Sequence, residues 1–83
     1  MRELKLGDVG SDVRLWKEFL ITLGGQYVNV VVDDTFDVQT QHVTQCFQRS
    51  LGVDPTGVVD QVTVGYALLT GYDWSRLHEI FVD

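Results

Sequence analysis

Cysteine is almost missing from this chain: Cys46 stands alone among 83 residues, so no disulfide can form within it and the fold must rest on packing. Basic residues are few as well. Six lysines and arginines face twelve aspartates and glutamates, giving a formal net charge of −6 and a pI near 4.5. No basic stripe is present to release counterions, which disfavours partners held by nucleic-acid phosphates, and an anionic membrane surface on the same ground. Long apolar runs are also lacking. The longest, residues 28–32, is interrupted by Asn29 and falls far short of the roughly 18 apolar residues of a membrane span. Residues 1–7 carry no apolar core of the signal-peptide kind, so any role outside the cytoplasm is expected to need delivery by another route.

What remains is the composition of one small globular domain, 45% hydrophobic, 11% aromatic and 22% charged. A chain of this length buries only about 60–65% of its unfolded surface, which leaves little room for a deep catalytic cleft. Three helical patterns are expected. The first spans residues 11–23, with Ser11 as N-cap, Asp12 in the first turn, and Val13, Leu15, Trp16, Phe19, Leu20 and Leu23 on one face. Gly24 and Gly25 end it. Residues 26–32, β-branched and aromatic, read as a minimal strand. The second helix covers residues 38–51 with Val43, Cys46, Phe47 and Leu51 on its apolar face, and Gly52 ends it. The third covers residues 61–69, capped by Asp60 and closed near Gly71. Trp74, Leu77 and Phe81 then recur at helical spacing, so residues 72–83 are expected as a short C-terminal helix or the start of a linker behind a domain of residues 1–71.

Two segments repeat one another. Residues 34–40 align with residues 57–63, an offset of 23, and superpose Phe36 on Val59, Asp37 on Asp60 and Thr40 on Thr63. Each copy reads turn, apolar residue, aspartate, two residues, threonine. An apolar residue just before a capping aspartate fixes how the chain enters a helix.

Few residues suggest catalysis. Asp33, Asp34 and Asp37 lack the alternating acids, central glycine and terminal glutamate of a calcium loop, and turn formation with helix capping explains them, so no metal is expected. His42 and Cys46 share a helix face, but Cys46 falls on the predicted apolar stripe and is read as a small buried hydrophobe. No carboxylate pair suggests one raised and one ordinary pKa. The chain is therefore expected to be neither an enzyme nor cofactor-dependent. Trp16 is assigned to the core; Tyr27, Tyr72 and Trp74 lie off the stripes and are the candidates for an exposed stacking aromatic.

Several segments together carry a resemblance. They are Leu6-Gly7-Asp8-Val9-Gly10-Ser11-Asp12-Val13, the run Asp33-Asp34-Thr35-Phe36-Asp37-Val38-Gln39-Thr40, Val43 with Phe47-Gln48, Gly52-Val53, and the second turn from Thr56 to Thr63 with Leu68. Residues 4–69 resemble the small three-helix peptidoglycan-binding domain appended to bacterial cell-wall hydrolases and phage endolysins. The chain departs from that pattern at Asp34, Asp37 and Asp60, where the family has glycine, at Thr56, and at Lys17, where it has glutamine. The resemblance implies a mainly α fold with two repeated turn–helix units and a non-catalytic module for cell-wall glycan or stem peptide. Its partners would be bacterial peptidoglycan and a cell-wall hydrolase, secretion or phage structural protein. It would act in the cell wall or periplasm after lysis, secretion or delivery by a virion. Gln26, Tyr27, Asn29, Asp33, Asp34, Gln39 and Gln41 are the candidate ligand contacts by their chemistry. The second reading is a protein-interaction module that has lost glycan binding and meets its partner through Trp74, Leu77 and Phe81.

Overall fold

The computed structural model describes residues 2–72; the expected C-terminal helix, with Trp74, Leu77 and Phe81, lies outside the described residues. Three helices form in the order α1 (Ser11–Thr22), α2 (Val38–Leu51) and α3 (Gln61–Thr70), with a 3₁₀ segment, Gly25–Asn29, between α1 and α2. The fold is the mainly helical three-helix arrangement that the sequence implies. No helix among the described residues is long and apolar enough to cross a membrane.

Helix starts follow local chemistry closely for α2 and α3. The Asp37 carboxylate accepts the Thr40 N–H at 2.9 Å, and Asp60 does the same for Thr63 at 2.9 Å. These equivalent caps satisfy one orphan donor each at the two repeated helix entries. Gly52 and Gly71 close the helices in left-handed conformations at φ 77° and 117°.

α1 begins differently from expectation. Gly10, not Ser11, is the N-cap, and no side chain caps the helix. The Gly10 N–H donates to the Asp34 carbonyl at 2.9 Å, which pins Gly10 extended against the first acidic turn and makes Ser11 the first helical residue. A Cβ on Gly10 would lie 2.6 Å from Asp12 Oδ1 and 3.0 Å from the Arg2 guanidinium, so a side chain there would have to displace the Asp12–Arg2 pair. Asp12 serves the first turn instead, accepting the Val13 N–H and a two-pronged contact from Arg2 at 2.7 and 3.0 Å.

The expected strand at residues 26–32 does not form. Tyr27 N–H bonds back to Gly24 and Val30 N–H to Tyr27, winding the segment into 3₁₀ turns, with extended backbone resuming at Val30. Among the described residues the β-type pairings are two isolated bridges, Leu4 with Val59 and Val9 with Thr35. Among the described residues no neighbouring edge offers residues 26–32 a ladder, and strand propensity without a partner does not make a strand.

Both bridges tie the N-terminal segment to the repeat. Leu4 exchanges backbone bonds with Val59 (3.1 and 2.8 Å), while Gly7 and Asp8 do so with Phe36 (3.0 and 2.9 Å). Phe36 and Val59, the equivalent entry residues, are both fully buried. One short segment thus closes both turn units over the same core.

That core centres on an aromatic cluster. Trp16 lies 5.3 to 5.8 Å from Phe19, Phe47 and Tyr72, with its pairs to Phe47 and Tyr72 edge-on, and its indole N–H donates to Thr44 Oγ1 at 3.1 Å. Tyr72, expected to be exposed, is buried here. The left-handed turn at Gly71 folds the chain back, the Tyr72 N–H bonds to Ala67, and the ring covers Trp16 and Phe19. Counting helical spacing cannot register a residue that lies beyond a helix cap. Burial pushes the Tyr72 phenol up, with the Asp12 charge adding to it, so the ring stays neutral over the ordinary pH range. Tyr27 is only half-buried and packs against the core, and Leu23 and Leu51 border it in the same way. Cys46, placed by spacing on the buried stripe of α2, is half-buried at its margin. The inward face of α2 is held instead by Thr40, Val43, Thr44, Phe47 and Gln48.

Candidate functional site

Each turn unit is plugged by one buried polar side chain from the helix before it. In the first unit the plug is Lys17 of α1, wholly buried, with Nζ 2.6 Å from Asp33 Oδ1 and 3.7 Å from Asp37 Oδ2. In the second it is Gln48 of α2, also buried, whose Oε1 accepts the Gly57 N–H at 2.8 Å while Nε2 donates to the Val58 carbonyl at 2.9 Å and to Thr63 Oγ1 at 3.0 Å. Lys17 follows Trp16 as Gln48 follows Phe47, so the likeness between units extends backwards into the preceding helices.

The turns themselves match atom for atom at their first residue. Asp33 Oδ1 accepts the Thr35 N–H at 3.0 Å, and Thr56 Oγ1 accepts the Val58 N–H at 3.1 Å. Threonine replaces aspartate in the second copy because an oxygen acceptor two residues upstream is all the turn needs. Asp34 fits equally well. Among the described residues only glycines have positive φ, so Asp34 bears no left-handed strain, and its carboxylate meets Arg14 Nε at 2.7 Å. Its counterpart Gly57 does adopt φ +77°, and a Cβ there would come within 2.9 Å of Gln41 Cγ and 3.3 Å of Gln45 Cγ. Aspartates at 33, 34 and 37 are therefore matched by cations at 14 and 17 on α1.

The electrostatics follow from these contacts. The Lys17 ammonium, with the Thr35 N–H, holds Asp33 below the usual carboxylate range. For Asp37, burial pushes the carboxyl up, but the Thr40 hydroxyl and N–H and the Lys17 charge outweigh it and the net shift is downward. Asp12 shows the same balance, with Arg2 overcoming burial. All three are ionised at neutral pH.

Of the residues singled out by sequence, Asp33 and Asp34 come together, but as ion-pair partners of α1. Gln26 and Asn29 are exposed on the 3₁₀ segment, and Gln39 is exposed in the first turn of α2. Gln41 is half-buried against Gly57, so it reaches from the first unit to the second. A surface depression lies in the second unit. It has a volume of about 210 Å³ and is lined by Val53, Asp54, Thr56, Asp60, Val62 and Thr63. The candidate contacts named from the sequence lie on the 3₁₀ segment and in the first unit, and none of these six residues is among them. The offset of 23 residues was the available signal, since it maps Asp33 onto Thr56 and Asp37 onto Asp60. Among the described residues no three histidine, cysteine, aspartate or glutamate side chains gather as a metal cage.

Comparison with known proteins agrees with this architecture. The backbone is similar to a Clostridioides difficile peptidoglycan-binding protein, solved in complex with glutamine hydroxamate, at 24% identity and TM-score 0.73 over 80% of this chain and 40% of that one. It is also similar to a Burkholderia AP3 phage endolysin at 24% identity and TM-score 0.75, over 89% of this chain and 27% of that one. This chain thus covers 40% and 27% of the length of the two structures. No curated protein sequence matches it. Residues 9–65, more than half of the chain and including both turn units, match the family model described as "Putative peptidoglycan binding domain", and the chain belongs to that family.

Proposed function

We propose that this domain is a non-catalytic module that binds bacterial peptidoglycan and concentrates at the wall whatever activity is attached to it or associated with it. The family match across both turn units is the observation that carries this reading. The polar groups offered to the ligand are Gln39 and Gln41, the Asp54 and Thr56 rim of the second-unit depression, and Gln26 and Asn29 on the 3₁₀ segment, with half-buried Tyr27 beside them. Asp33 and Asp34, committed to Lys17 and Arg14, shape the first turn rather than bind. An acid catalyst needs a carboxyl held protonated near neutral pH, whereas Asp12, Asp33 and Asp37 are all shifted the other way, so these three carboxylates serve the fold and not a proton-donating step.

The test is chemical-shift mapping of isotope-labelled protein with soluble peptidoglycan fragments. The reading expects dose-dependent shifts confined to residues 26–29, 39–41 and 53–63, with the fragments recovered uncut. Shifts elsewhere with none in those segments, or cleavage of the fragments, would overturn it.

A further inference from the structure

α3 differs from α1 and α2 in carrying no charged residue among its ten, and it is apolar on its outer side as well as its inner one. Its buried positions are Thr63, Val64 and Ala67, yet Val62, Tyr66, Leu68 and Leu69 are all exposed, Leu69 to 83%. A helix apolar all round is ordinarily covered on both faces. Gly65 lies among these exposed residues, and a Cβ there would meet nothing within 4 Å. Its backbone is not left-handed, and glycine weakens a helix relative to alanine, so nothing in the described fold asks for it. A glycine in the middle of an apolar face lets a second element approach closely.

We propose that this face is covered by the chain's own residues 73–83, folded as a helix antiparallel to α3. The sequence continues for eleven residues past Tyr72. Trp74, Leu77 and Phe81 recur at spacings of three and four, and Val62, Tyr66 and Leu69 at four and three, so the two stripes have the same length, about 10 Å of helix. Antiparallel packing sets Trp74 beside Leu69, Leu77 over Gly65 and Tyr66, and Phe81 toward Val62. The turn between the helices is already in place. Gly71 is left-handed and the Tyr72 N–H bonds to the Ala67 carbonyl, a Schellman-type reversal, and Asp73 then stands where an N-cap is needed. At about 100° per residue, Leu68 lies between inward-facing Val64 and Gly65, so the chain leaving buried Tyr72 has one side chain to cross. A second copy is the poorer occupant, since it would bring together two chains of net charge −6. Val62 also lines the second-unit depression, so the docked helix ends at its rim.

The experiment is NMR of the isotope-labelled full chain. Cα shifts should be helical over residues 74–81, with cross-relaxation between the Trp74 ring and the Leu68 and Leu69 methyls and between the Phe81 ring and the Val62 methyls, all unchanged on dilution. Gly65→Glu puts a long charged side chain where a Cβ meets nothing in the described fold, and glutamate favours a helix more than glycine does. In that variant the Trp16 indole N–H, bonded to Thr44, should keep its resonance, while the contacts of Trp74 and Phe81 vanish and the shifts of residues 74–81 move to random-coil values. Random-coil shifts over residues 74–81 in the native chain, contacts from these side chains to another surface, contacts only between differently labelled molecules, or contacts that survive Gly65→Glu would each overturn the proposal.

Discussion

Gln48→Ala removes the plug of the second turn, and its cost can be worked from the contacts it makes. The amide side chain satisfies the Gly57 N–H, the Val58 carbonyl and the Thr63 hydroxyl. The Gly57 residue is itself buried, so its N–H loses its partner where water cannot replace it. A buried donor left unpaired costs about 1–3 kcal/mol, and the truncated side chain leaves a void beside Thr63 that adds to this, for a total of about 2–4 kcal/mol. In a domain of this size each kcal/mol lowers Tm by about 4–8 °C, so the variant should melt about 10–30 °C below the native chain by circular dichroism. Hydrogen exchange gives an independent readout: the Gly57 amide, protected in the native chain, should exchange far faster in the variant while amides in the middle of α1 keep their rank order. A fall in Tm of less than about 4 °C, under about 1 kcal/mol, would refute the assignment of Gln48 as the group that holds the second turn.

Three further outcomes follow from the same geometry. Lys17 is buried whereas Asp33 is 47% exposed, so removing the cation leaves a carboxylate that water can solvate, while removing the carboxylate leaves a buried ammonium with only the longer 3.7 Å contact to Asp37. Lys17→Met should therefore be better tolerated than Asp33→Asn in urea unfolding, and the reverse order would contradict the ion-pair reading. Gly57→Ala should destabilise by more than about 1 kcal/mol, because alanine is disfavoured at φ +77° and its Cβ would collide with Gln41; an unchanged urea midpoint would sink this. Asp12, Asp33 and Asp37 have folded pKa values below their unfolded ones, so their contribution is present above about pH 4, the unfolded carboxylate value, and is lost as pH falls through the folded values. The urea midpoint should hold steady from neutral pH down to about 5 and drop below about 4, whereas a midpoint that rises on acidification would contradict these shifts.

The parts of the fold legible in the sequence are those fixed by local chemistry. The helix entries at Asp37 and Asp60 and the glycine stops at Gly52 and Gly71 depend on a few neighbouring residues, and their signals survive folding unchanged. Trp16, Phe47, Phe36 and Val59 were readable as core because periodicity and repetition both point to them. Where the structure differs, distant contacts decide. Gly10 displaces Ser11 as the cap because the Asp34 carbonyl, over twenty residues away, holds it. Residues 26–32 have strand-forming side chains but no neighbouring strand among the described residues. Tyr72 joins the core through a chain reversal at Gly71 that no helical count reveals. The candidate site was half legible. Its first-unit residues stood out as polar and clustered, but the pairing of Asp33 and Asp34 with Lys17 and Arg14 is a tertiary fact. The second-unit depression was legible only through the internal repeat.

Wall binding is tested most directly by co-sedimentation of the purified chain with insoluble peptidoglycan sacculi of several chemotypes, with a Gln41→Ala/Asp54→Ala variant alongside. The account predicts saturable binding to at least one chemotype, weakened in the variant, with the sacculi left intact by turbidity. A chain that stays in the supernatant with every chemotype would contradict it.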